Sequence, residues 1–475
     1  MPLSIGLRRF LDTKSEELLK PLPVSAGAGT IFVPSGSGDP RQRVLYLTGN
    51  TVAYLYYPDE DAFVQLASPA LSNAITNPSG CWHPGGPTGT ATGGGTNTIN
   101  TPFTSVCSLV GFRIRITGGT GAGQERIIGQ HLIGANTVFT VTQNWTTQPD
   151  ATSTYQLRTG RWYVINGGAQ ATGTMKYYDL ATNTWSAGLS IVGLAASLGT
   201  DLSLAKAYGF DDDGSPRSFA SGTATAGGAT TLTLGTANWT VNQFANMQIR
   251  IISGTGAGQI RTISSNTATI ITVSSAWGTN PDNTSQFVIE GNEDYLYLAG
   301  NNAVTLYRYS ISGNTWSTLT PGVARGGAQS SPCRLVFVDN DPNPSVTGDP
   351  NNIFNGRYFY ALRGGGTATV DVYDISLNTW STISFAPGTD TFTTGSSIAQ
   401  INGRMYVFKE ATGRAFTFNP GDRLFEPWTT LVYPQGAAAV GNRAFAVSLK
   451  DGATTIRWVY FALNTSTVLC RMMVF

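Results

Sequence analysis

Short runs that alternate apolar and polar residues, separated by glycine and asparagine, follow one another along most of the chain. Several open on a Gly-Arg pair and continue with aromatic and β-branched residues, as at 160–164, 356–360 and 403–407. A period of two between turn formers predicts strands joined by tight turns. Stretches rich in Ala, Leu, Glu and Lys are nearly absent. We therefore predict an all-β protein.

Residues 1–23 are the exception to this pattern. Apolar residues from Leu7 to Leu19 form a loose stripe, and Pro21 and Pro23 follow it. Proline disfavours helix at and before its own position, so the stripe predicts a helical N-terminal arm that ends there. The arm would dock either on a neighbouring subunit or on its own chain.

One unit recurs along the chain: an aromatic residue, a short turn, and a second aromatic residue seven positions after the first. Each copy predicts a hairpin, because the Asn, Asp and Gly residues between the two aromatics suit a turn. Three or four such strands make one propeller blade, and we count six blades. The copies are Tyr178–Trp185, Tyr309–Trp316 and Tyr373–Trp380, with weaker ones at Tyr57–Val64, Phe418–Phe425 and Phe461–Val468.

A glycine pair before the tyrosine resembles the kelch repeat, in which two glycines precede a Tyr and then a Trp. Gly167-Gly168 lie before Tyr178, and 364–366 are three glycines before Tyr373. The resemblance implies a kelch-like β-propeller of about six blades. It implies an architecture and no particular activity.

Two of the intervals between units are too long for one blade. The intervals Tyr57–Tyr178 and Tyr178–Tyr309 each hold roughly 70 residues more than a blade of ~45 residues needs. The surplus segments match each other: both carry Gly-Thr-Gly-Ala-Gly-Gln (119–124 and 254–259), then a Trp, then Pro-Asp-x-Thr-Ser. The sequence thus predicts two homologous small antiparallel β domains inserted into the propeller.

These boundaries divide the chain into six parts. Residues 1–23 form the arm, 24–88 the first propeller segment, 89–158 the first inserted module, 159–218 the second propeller segment, 219–290 the second module, and 291–475 the rest of the propeller.

The inserted segment resembles a small β module found in structural proteins of tailed bacteriophages. The resemblance implies a non-enzymatic component of the virion, in the tail, neck or capsid surface, made in the host cytoplasm. Its partners would be other virion proteins, in a symmetric assembly of several copies. Two alternatives stay open: an adhesin that binds a receptor or a host-surface glycan, and a kelch-type propeller enzyme.

Composition narrows the function classes. Only 12% of residues are charged and the net charge is +1, so no general attraction to nucleic acid is expected. No run of about 18 apolar residues predicts a membrane span, and the N-terminus lacks the features of a signal peptide. The four cysteines, Cys81, Cys107, Cys333 and Cys470, are scattered, and we expect buried free thiols.

Candidate chemistry is sparse. The Gly-rich segments lack the following helix and Lys of a phosphate loop, so we interpret them as tight β turns. His83 and His131 are the only histidines, and we expect both in solvated loops. Acidic loops at Asp211–Asp213 and Asp339–Asp349 could hold a hard cation, but solvated loops are the favoured interpretation.

The repeated carboxylates and tryptophans have structural interpretations too. Asp179 and Asp374 occupy the same hairpin position in two units, which favours turn formation over acid–base chemistry. The Trp residues at 185, 316 and 380 could stack on sugars, but their repetition favours packing between blades. We therefore predict no catalytic, cofactor-binding or metal residues.

Overall fold

The computed structural model describes residues 17–26, 29–49, 51–72, 78–134, 137–199, 202–211, 213–300, 303–327, 334–337, 356–384, 391–392, 396–401, 403–409, 414–419, 424–430, 444–451, 454–463 and 466–474. Within these ranges every regular element is a β-strand, and no helix is present. The all-β prediction is confirmed.

Six sheets have four antiparallel strands each and form the blades of a propeller, as the sequence predicts. From the central channel outward, blade 1 is Thr30–Pro34, Val44–Thr48, Val52–Tyr57 and Ala62–Gln65; blade 2 is Ser79–His83, Arg161–Ile165, Met175–Asp179 and Thr184–Trp185; blade 3 is Ser203–Lys206, Tyr295–Ala299, Leu306–Ser310 and Thr315–Leu319. Blade 4 is Arg334–Phe337, Tyr358–Leu362, Thr369–Asp374 and Thr379–Ser384; blade 5 is Ser397–Ile401, Arg404–Phe408, Arg414–Asn419 and Leu424–Thr430; blade 6 is Ala444–Asp451, Thr454–Ala462, Leu469–Val474 and Glu17–Leu18.

The ring is closed by the two ends of the chain. Glu17–Leu18 adds the outermost strand to blade 6 and pairs antiparallel with Leu469–Val474. The Arg471 guanidinium donates to the Glu17 carboxylate at 2.7 Å. The prediction of a helix is therefore wrong for the described end of the arm. Pairing with the last blade gives the backbone of Glu17–Leu18 hydrogen-bond partners that a short helix would not provide. Residues 1–16 lie outside the described residues.

Most of the core lies between blades. Six clusters of buried side chains each join two adjacent blades around the ring, and a seventh fills the second module. At the closing seam, Phe445 of blade 6 stacks on Phe32 of blade 1 with ring centroids 5.0 Å apart. Each sheet is thus buried on both faces, which explains why the sequences of its strands are rich in apolar and aromatic residues.

The repeated aromatics lie opposite each other in adjacent strands. Tyr178 faces Trp185, and the corresponding pairs in blades 3 and 4 have the same register. A hydrogen bond completes each hairpin, since the tyrosine hydroxyl donates to the asparagine of the turn. The three bonds are Tyr178–Asn183 at 2.7 Å, Tyr309–Asn314 at 2.6 Å and Tyr373–Asn378 at 2.7 Å.

The observed strand register corrects two of the weaker predicted copies of the aromatic unit. In blade 1 the equivalent pair is Tyr56–Phe63, one residue before the predicted Tyr57–Val64. The Tyr56 hydroxyl donates to Asp61 at 2.9 Å, and Asp61 has the positive φ of the asparagines in the other turns.

The second correction concerns blade 6. Phe461 lies opposite Cys470, so the segment from Phe461 to Val468 joins the second and third strands rather than the third and fourth. The outermost strand of this blade comes from the N-terminus instead. In blade 5, Phe418 pairs with Phe425 as predicted.

The two inserted modules share one topology of seven strands. In chain order their strands pair as 1-7-4-5-6-3-2. Module 1 consists of Thr88–Thr90, Gly93–Gly94, Thr98–Asn100, Arg113–Gly118, Glu125–Gln130, Val138–Val141 and Thr154–Arg158. Module 2 consists of Ser218–Thr223, Ala226–Gly227, Thr231–Thr233, Gln248–Ser253, Ile260–Asn266, Ile270–Val273 and Gln286–Glu290.

Candidate functional site: the channel mouth and the paired modules

Both modules enter at the same place in neighbouring blades. Each is inserted between the innermost strand and the second strand, module 1 after His83 in blade 2 and module 2 after Lys206 in blade 3. Because the blades repeat one topology around the ring, their innermost strands end at the same face. The modules therefore stand side by side on the face where the inner strands end, next to the mouth of the central channel.

The Gly-Thr-Gly-Ala-Gly segment of each module is a tight turn between two strands. In module 1, Gly119, Gly121 and Gly123 all have positive φ, at 71°, 79° and 89°. Such angles suit glycine because it has no Cβ. A strand, Glu125–Gln130, follows instead of the helix that a phosphate loop requires. The turn interpretation is confirmed.

The glutamine of this motif fixes the turn to a second loop. The side-chain amide of Gln124 donates to the Gly121 and Thr147 carbonyls, and its oxygen accepts from the Thr146 amide at 2.7 Å. Gln259 makes the equivalent bonds in module 2. The motif therefore stabilises the module fold itself.

The closing Pro-Asp-x-Thr-Ser has a similar role. Asp150 accepts from the backbone amide of Thr152 at 2.7 Å and from its hydroxyl at 2.6 Å, while the Ser153 hydroxyl donates to the Thr120 carbonyl. The hydrogen bonds that Asp150 accepts lower the pKa of its carboxyl group, and the one from the Thr152 hydroxyl has the largest effect. The residues that identify the module are thus explained by its folding.

The two modules touch each other through their glycine turns. A β-carbon at Gly123 would lie 2.7 Å from the Ile252 carbonyl oxygen, and one at Gly258 would lie 3.1 Å from the Thr117 carbonyl oxygen. Gly123 and Gly258 are equivalent in the two modules, as are Thr117 and Ile252. The contact is therefore reciprocal, like the interface of a two-fold dimer.

Buried ion pairs lie beside this contact. Arg115 donates to Glu125 at 2.6 Å within module 1, and Arg158 donates to both oxygens of Glu293 at 2.6 Å. Burial raises the pKa of Glu125, but the guanidinium groups of Arg115 and Arg158 outweigh it and bring the pKa down to about 2. The first pair stabilises module 1 internally, and the second joins module 1 to the segment after module 2.

The duplicated modules differ in charge at three equivalent positions: Arg113, Glu125 and Arg158 of module 1 correspond to Gln248, Ile260 and Glu290 of module 2. Arg158 lies opposite Arg113 in module 1, whereas Glu290 lies opposite Gln248 in module 2. Glu290 binds Arg250 of its own module, while Arg158 binds Glu293 beyond the last strand of module 2. The exchange therefore gives module 1 an ion pair to a residue outside the module, whereas the ion pair of Glu290 stays within module 2.

His83 is buried, contrary to the expectation of a solvated loop. It is 7% exposed at the end of the innermost strand of blade 2. Its Nδ1 accepts from the Gly85 amide at 2.9 Å, and its Nε2 lies 3.0 Å from the Glu293 carbonyl oxygen. Burial lowers the pKa of His83 to about 4. The imidazole is neutral at pH 7 and links blade 2 to the segment after module 2.

His131 is half-buried in module 1. Its Nε2 accepts from the Leu109 amide at 2.6 Å, which ties two loops together. The structure does not bring the two histidines together, since their hydrogen bonds serve different parts of the fold.

The described part of the first acidic loop is engaged in ion pairs. Asp211 lies 3.0 Å from Arg217, and Asp213 lies 3.4 Å from Arg113 of module 1. Asp212 and the loop from Asp339 to Asp349 lie outside the described residues. Among the residues that are described, no group of three or more His, Cys, Asp or Glu side chains could hold a metal ion.

The repeated carboxylates and tryptophans have structural contacts. Asp179 binds Arg161 at 2.8 Å and Asp374 binds Arg357 at 2.7 Å, and both accept from backbone amides of their own turns. The Trp185 indole donates to the carbonyl of Ala67, in the segment after blade 1. The tryptophans at 316 and 380 are 5% and 4% exposed in clusters between blades, as expected.

The cysteines fit the expectation of free thiols where they are described. Cys81 and Cys470 are buried, and Cys107 is half-buried. Burial raises the pKa of Cys81 to about 12, which keeps it a thiol at neutral pH. Cys333 lies outside the described residues.

A cavity of about 300 Å³ lies in the central channel, where the innermost strands of all six blades line it, and sequence reasoning did not find it. Its lining includes three cationic residues, Lys206, Arg217 and Arg457, from blade 3, the segment before module 2, and blade 6. Residues this far apart in sequence gave no local pattern. Closure of the ring places them around one channel.

The chain is a six-bladed β-propeller that carries two copies of a seven-stranded β module on one face. No protein-family model matches it, and no curated protein matches it. Two solved structures align with it over almost their whole length. One is described as "Structure of U3-55K" (8% identity, 97% of this chain and 98% of that chain, TM-score 0.39), the other as "Crystal Structure of Mitotic Checkpoint Complex" (10% identity, 98% and 93%, TM-score 0.38). At these scores neither carries an argument about function.

Within the described residues, no helix has the length and apolar character needed to cross a membrane.

Proposed function

We propose that this protein is a non-enzymatic structural component of a bacteriophage virion, in which the propeller is a rigid platform and the paired modules are its contact face. The proposal starts from the resemblance of the Gly-Thr-Gly-Ala-Gly-Gln module to segments of phage structural proteins. A fold alone indicates no function, so the argument depends on what the modules do.

The observation that carries the proposal is the fixed geometry of the module pair. Reciprocal contacts of Gly123 and Gly258 join the modules, and the Arg158–Glu293 pair fixes module 1 to the segment after module 2. Two domains held by such contacts present one continuous surface rather than two independent binding units. A preformed surface suits assembly, because little conformational entropy is lost on binding.

The chemistry of the described residues supports the same interpretation. Asp179 and Asp374 form hairpins, and His83 and His131 connect loops and blades. Each has a partner that its structural role explains. An enzyme hypothesis therefore has no specific catalytic candidate among these described residues.

Location in particles tests the proposal. Antibodies raised against the purified chain are applied to phage particles from a lysate of the host that carries this gene, and are followed by electron microscopy. We expect labels at one fixed position on each particle, and no label when the antibody is first absorbed with purified protein. Unlabelled particles, with the protein present only in the soluble lysate, would refute a virion role.

A further inference from the structure

One end of module 1 carries a cluster of exposed aliphatic side chains. Leu132 is 78% exposed, Ile133 59%, Val106 52% and Val110 46%. Single apolar side chains are common on protein surfaces, whereas a group of adjoining ones marks an interaction surface. We call these four residues the aliphatic patch.

Two hydrogen bonds bring the patch residues together. The Gly134 amide donates to the Ser105 carbonyl at 3.3 Å, and the Leu109 amide donates to the His131 ring at 2.6 Å. Each of these four residues is the sequence neighbour of one patch residue. The bonds therefore hold the two loops of the patch side by side.

The patch and the contact with module 2 lie at opposite ends of module 1. The glycine turn that rests on module 2 joins Arg113–Gly118 to Glu125–Gln130. The patch belongs to the loop before the first of these strands and the loop after the second. The Val106 amide donates to the Ala181 carbonyl at 3.3 Å, which places the patch beside the outer hairpin of blade 2. Pairing of the modules thus leaves the patch exposed.

Module 2 shows that this end of the fold does not require the patch. Asn266 accepts from the Phe244 amide at 2.9 Å, in the place where His131 accepts from the Leu109 amide in module 1. The same two loops are therefore joined in both copies, by an amide side chain in one and an imidazole in the other.

The exposed apolar pair is specific to module 1. The seven residues 131–137 correspond to the four residues 266–269 of module 2, so the loop that carries this pair is three residues longer in module 1. Of the four patch residues, Val106 alone has a counterpart of the same type, Val241. An insertion that adds an exposed leucine and isoleucine lies outside the core that the two copies share, which favours a role in binding.

The loops of the patch are uncharged. Residues 100–112 and 129–138, which include both loops, contain no Asp, Glu, Lys or Arg. Interfacial binding to lipid usually combines apolar residues with Lys and Arg, so a lipid surface fits poorly. Charged groups do act on Cys107, the residue after Val106, but they are buried. They are Asp39, Arg43 and Asp179.

An uncharged patch suits contact with a second copy of itself. In a two-fold contact each surface meets the same surface of the other copy, so any charge would face its own kind, and aliphatic side chains avoid this repulsion. The net charge of +1 adds little repulsion between whole chains. Side chains exposed to this extent present on the order of 400 Å² per copy, below the roughly 800 Å² per partner of a standard interface, so the contact is weak in solution.

We propose that two copies of this protein associate through the aliphatic patch of module 1, related by a two-fold axis. Association covers the exposed Leu132 and Ile133 and leaves the contact between the two modules of each chain intact. The inference goes beyond the proposed virion role and does not depend on it, because it requires only the purified chain.

Sedimentation velocity of the full chain, at concentrations from about 1 to about 300 µM, tests the association. We expect the average mass to rise from monomer towards dimer and no further, because a two-fold contact uses the patch of both copies. Added salt should not weaken the dimer, since no charged pair forms it.

Variants locate the contact. Leu132→Asp combined with Ile133→Asp should raise the dissociation constant at least about tenfold, because like charges then face each other. Val106→Asp tests the other loop in the same way. Val241→Asp is its matched control, since Val241 is 63% exposed at the equivalent position of module 2. Thermal unfolding verifies the fold of each variant, and if one patch variant does not fold, the other provides the test.

Exchange of charge identifies the occupant as a second copy. Ile133→Asp and Ile133→Lys should each associate less than the wild type. An equimolar mixture of the two should associate more than either variant alone, because opposite charges then meet across the two-fold axis.

Several outcomes would overturn the proposal. They are a chain that stays monomeric over the whole range, association that continues beyond the dimer, equal losses in Val106→Asp and Val241→Asp, and a mixture of the charge variants that associates no better than its components. If the monomeric chain instead sediments with phosphatidylcholine vesicles, and the double Asp variant does not, the patch belongs to a lipid surface.

Discussion

A β-carbon at Gly258 would lie 2.8 Å from the Cβ of Ala122, because the glycine turn of module 2 rests directly on the glycine turn of module 1. Gly258 also has a φ of 89°, which L-residues with a side chain rarely adopt. Two independent constraints thus require glycine here, and one of them exists only because the modules pair.

We expect Gly258→Ala to reduce the free energy of unfolding by about 2–4 kcal/mol, from backbone strain and the forced separation of the modules together. Gly49→Ala is the matched control, since Gly49 has a φ of 61° but open space where the methyl group would lie. Urea unfolding and hydrogen exchange of the modules measure the two effects. Equal losses in the two variants would show that the module contact contributes nothing.

The hydrogen bond from tyrosine to the turn should stabilise each hairpin in which it occurs. Asn183→Gly keeps a residue that tolerates the positive φ of 52° but leaves the buried hydroxyl of Tyr178 without its acceptor. We expect a loss of about 1–3 kcal/mol in the free energy of unfolding.

Blade 1 provides the control for this hydrogen bond. Asp61→Asn retains an acceptor for the Tyr56 hydroxyl and a residue type that tolerates positive φ, and it loses only the exposed acceptor of the Lys20 amide, so the unfolding temperature should fall less than in Asn183→Gly. If Asn183→Gly is as stable as the wild type, the bond is incidental to the repeat.

His83 should make the protein less stable in weak acid. Burial lowers its pKa to about 4 from the ordinary value of 6.5, so between these pH values the unfolded chain binds a proton that the folded chain does not. The free energy of unfolding therefore falls as the pH drops from about 6.5 to about 4, by on the order of 3 kcal/mol.

Urea unfolding at pH 7 and pH 4.5 measures this dependence, with His83→Gln for comparison. Glutamine does not titrate, so the variant should lose less stability between the two pH values than the wild type does. Identical losses in both proteins would assign the acid sensitivity to other groups.

Removing only one partner of the ion pair between Arg158 and Glu293 should destabilise the fold. Glu293→Gln removes the carboxylate that both guanidinium nitrogens of Arg158 bind and leaves Arg158 the longer pair with Glu125 at 4.0 Å, so we expect a loss of about 3–5 kcal/mol in the free energy of unfolding. The double variant Arg158→Met with Glu293→Gln removes both charges and should recover part of that loss.

A double-mutant cycle with Arg158→Met as the other single variant gives the coupling energy. Additive effects of the two substitutions, measured by urea unfolding, would show that the pair does not stabilise the junction.

The strand Glu17–Leu18 should be required to close the ring. Removal of residues 1–19 exposes the edge of Leu469–Val474, and an unpaired strand edge promotes association between copies. We expect a lower unfolding temperature and concentration-dependent oligomers in size-exclusion chromatography. Glu17→Gln is the control, because it keeps the backbone pairing and changes only a part-exposed ion pair worth at most about 1 kcal/mol. A truncated chain that stays monomeric with an unchanged unfolding temperature would rule out this role.

The propeller and its two insertions could be predicted because their signals are local. Strand alternation, the Tyr–Trp spacing and the duplicated glycine motif each extend over less than ten residues. The register is predicted less well: the interval from Tyr57 to Val64 has the same seven-residue spacing as that from Tyr56 to Phe63, and only strand pairing distinguishes the two. The burial of His83 is not predictable from its neighbours in sequence, since its hydrogen-bond partner Glu293 is 210 residues away.

By itself, the sequence determined the β character, the hairpins and the presence of two copies of one module, since turn chemistry and apolar alternation act between near neighbours. Three features were decided only by the tertiary structure: the closing strand at Glu17, the contact of Gly123 with Gly258, and the channel cavity lined by all six innermost strands. Each joins residues that are far apart in the chain. Their proximity follows from the closure of six blades into a ring, which no local pattern specifies.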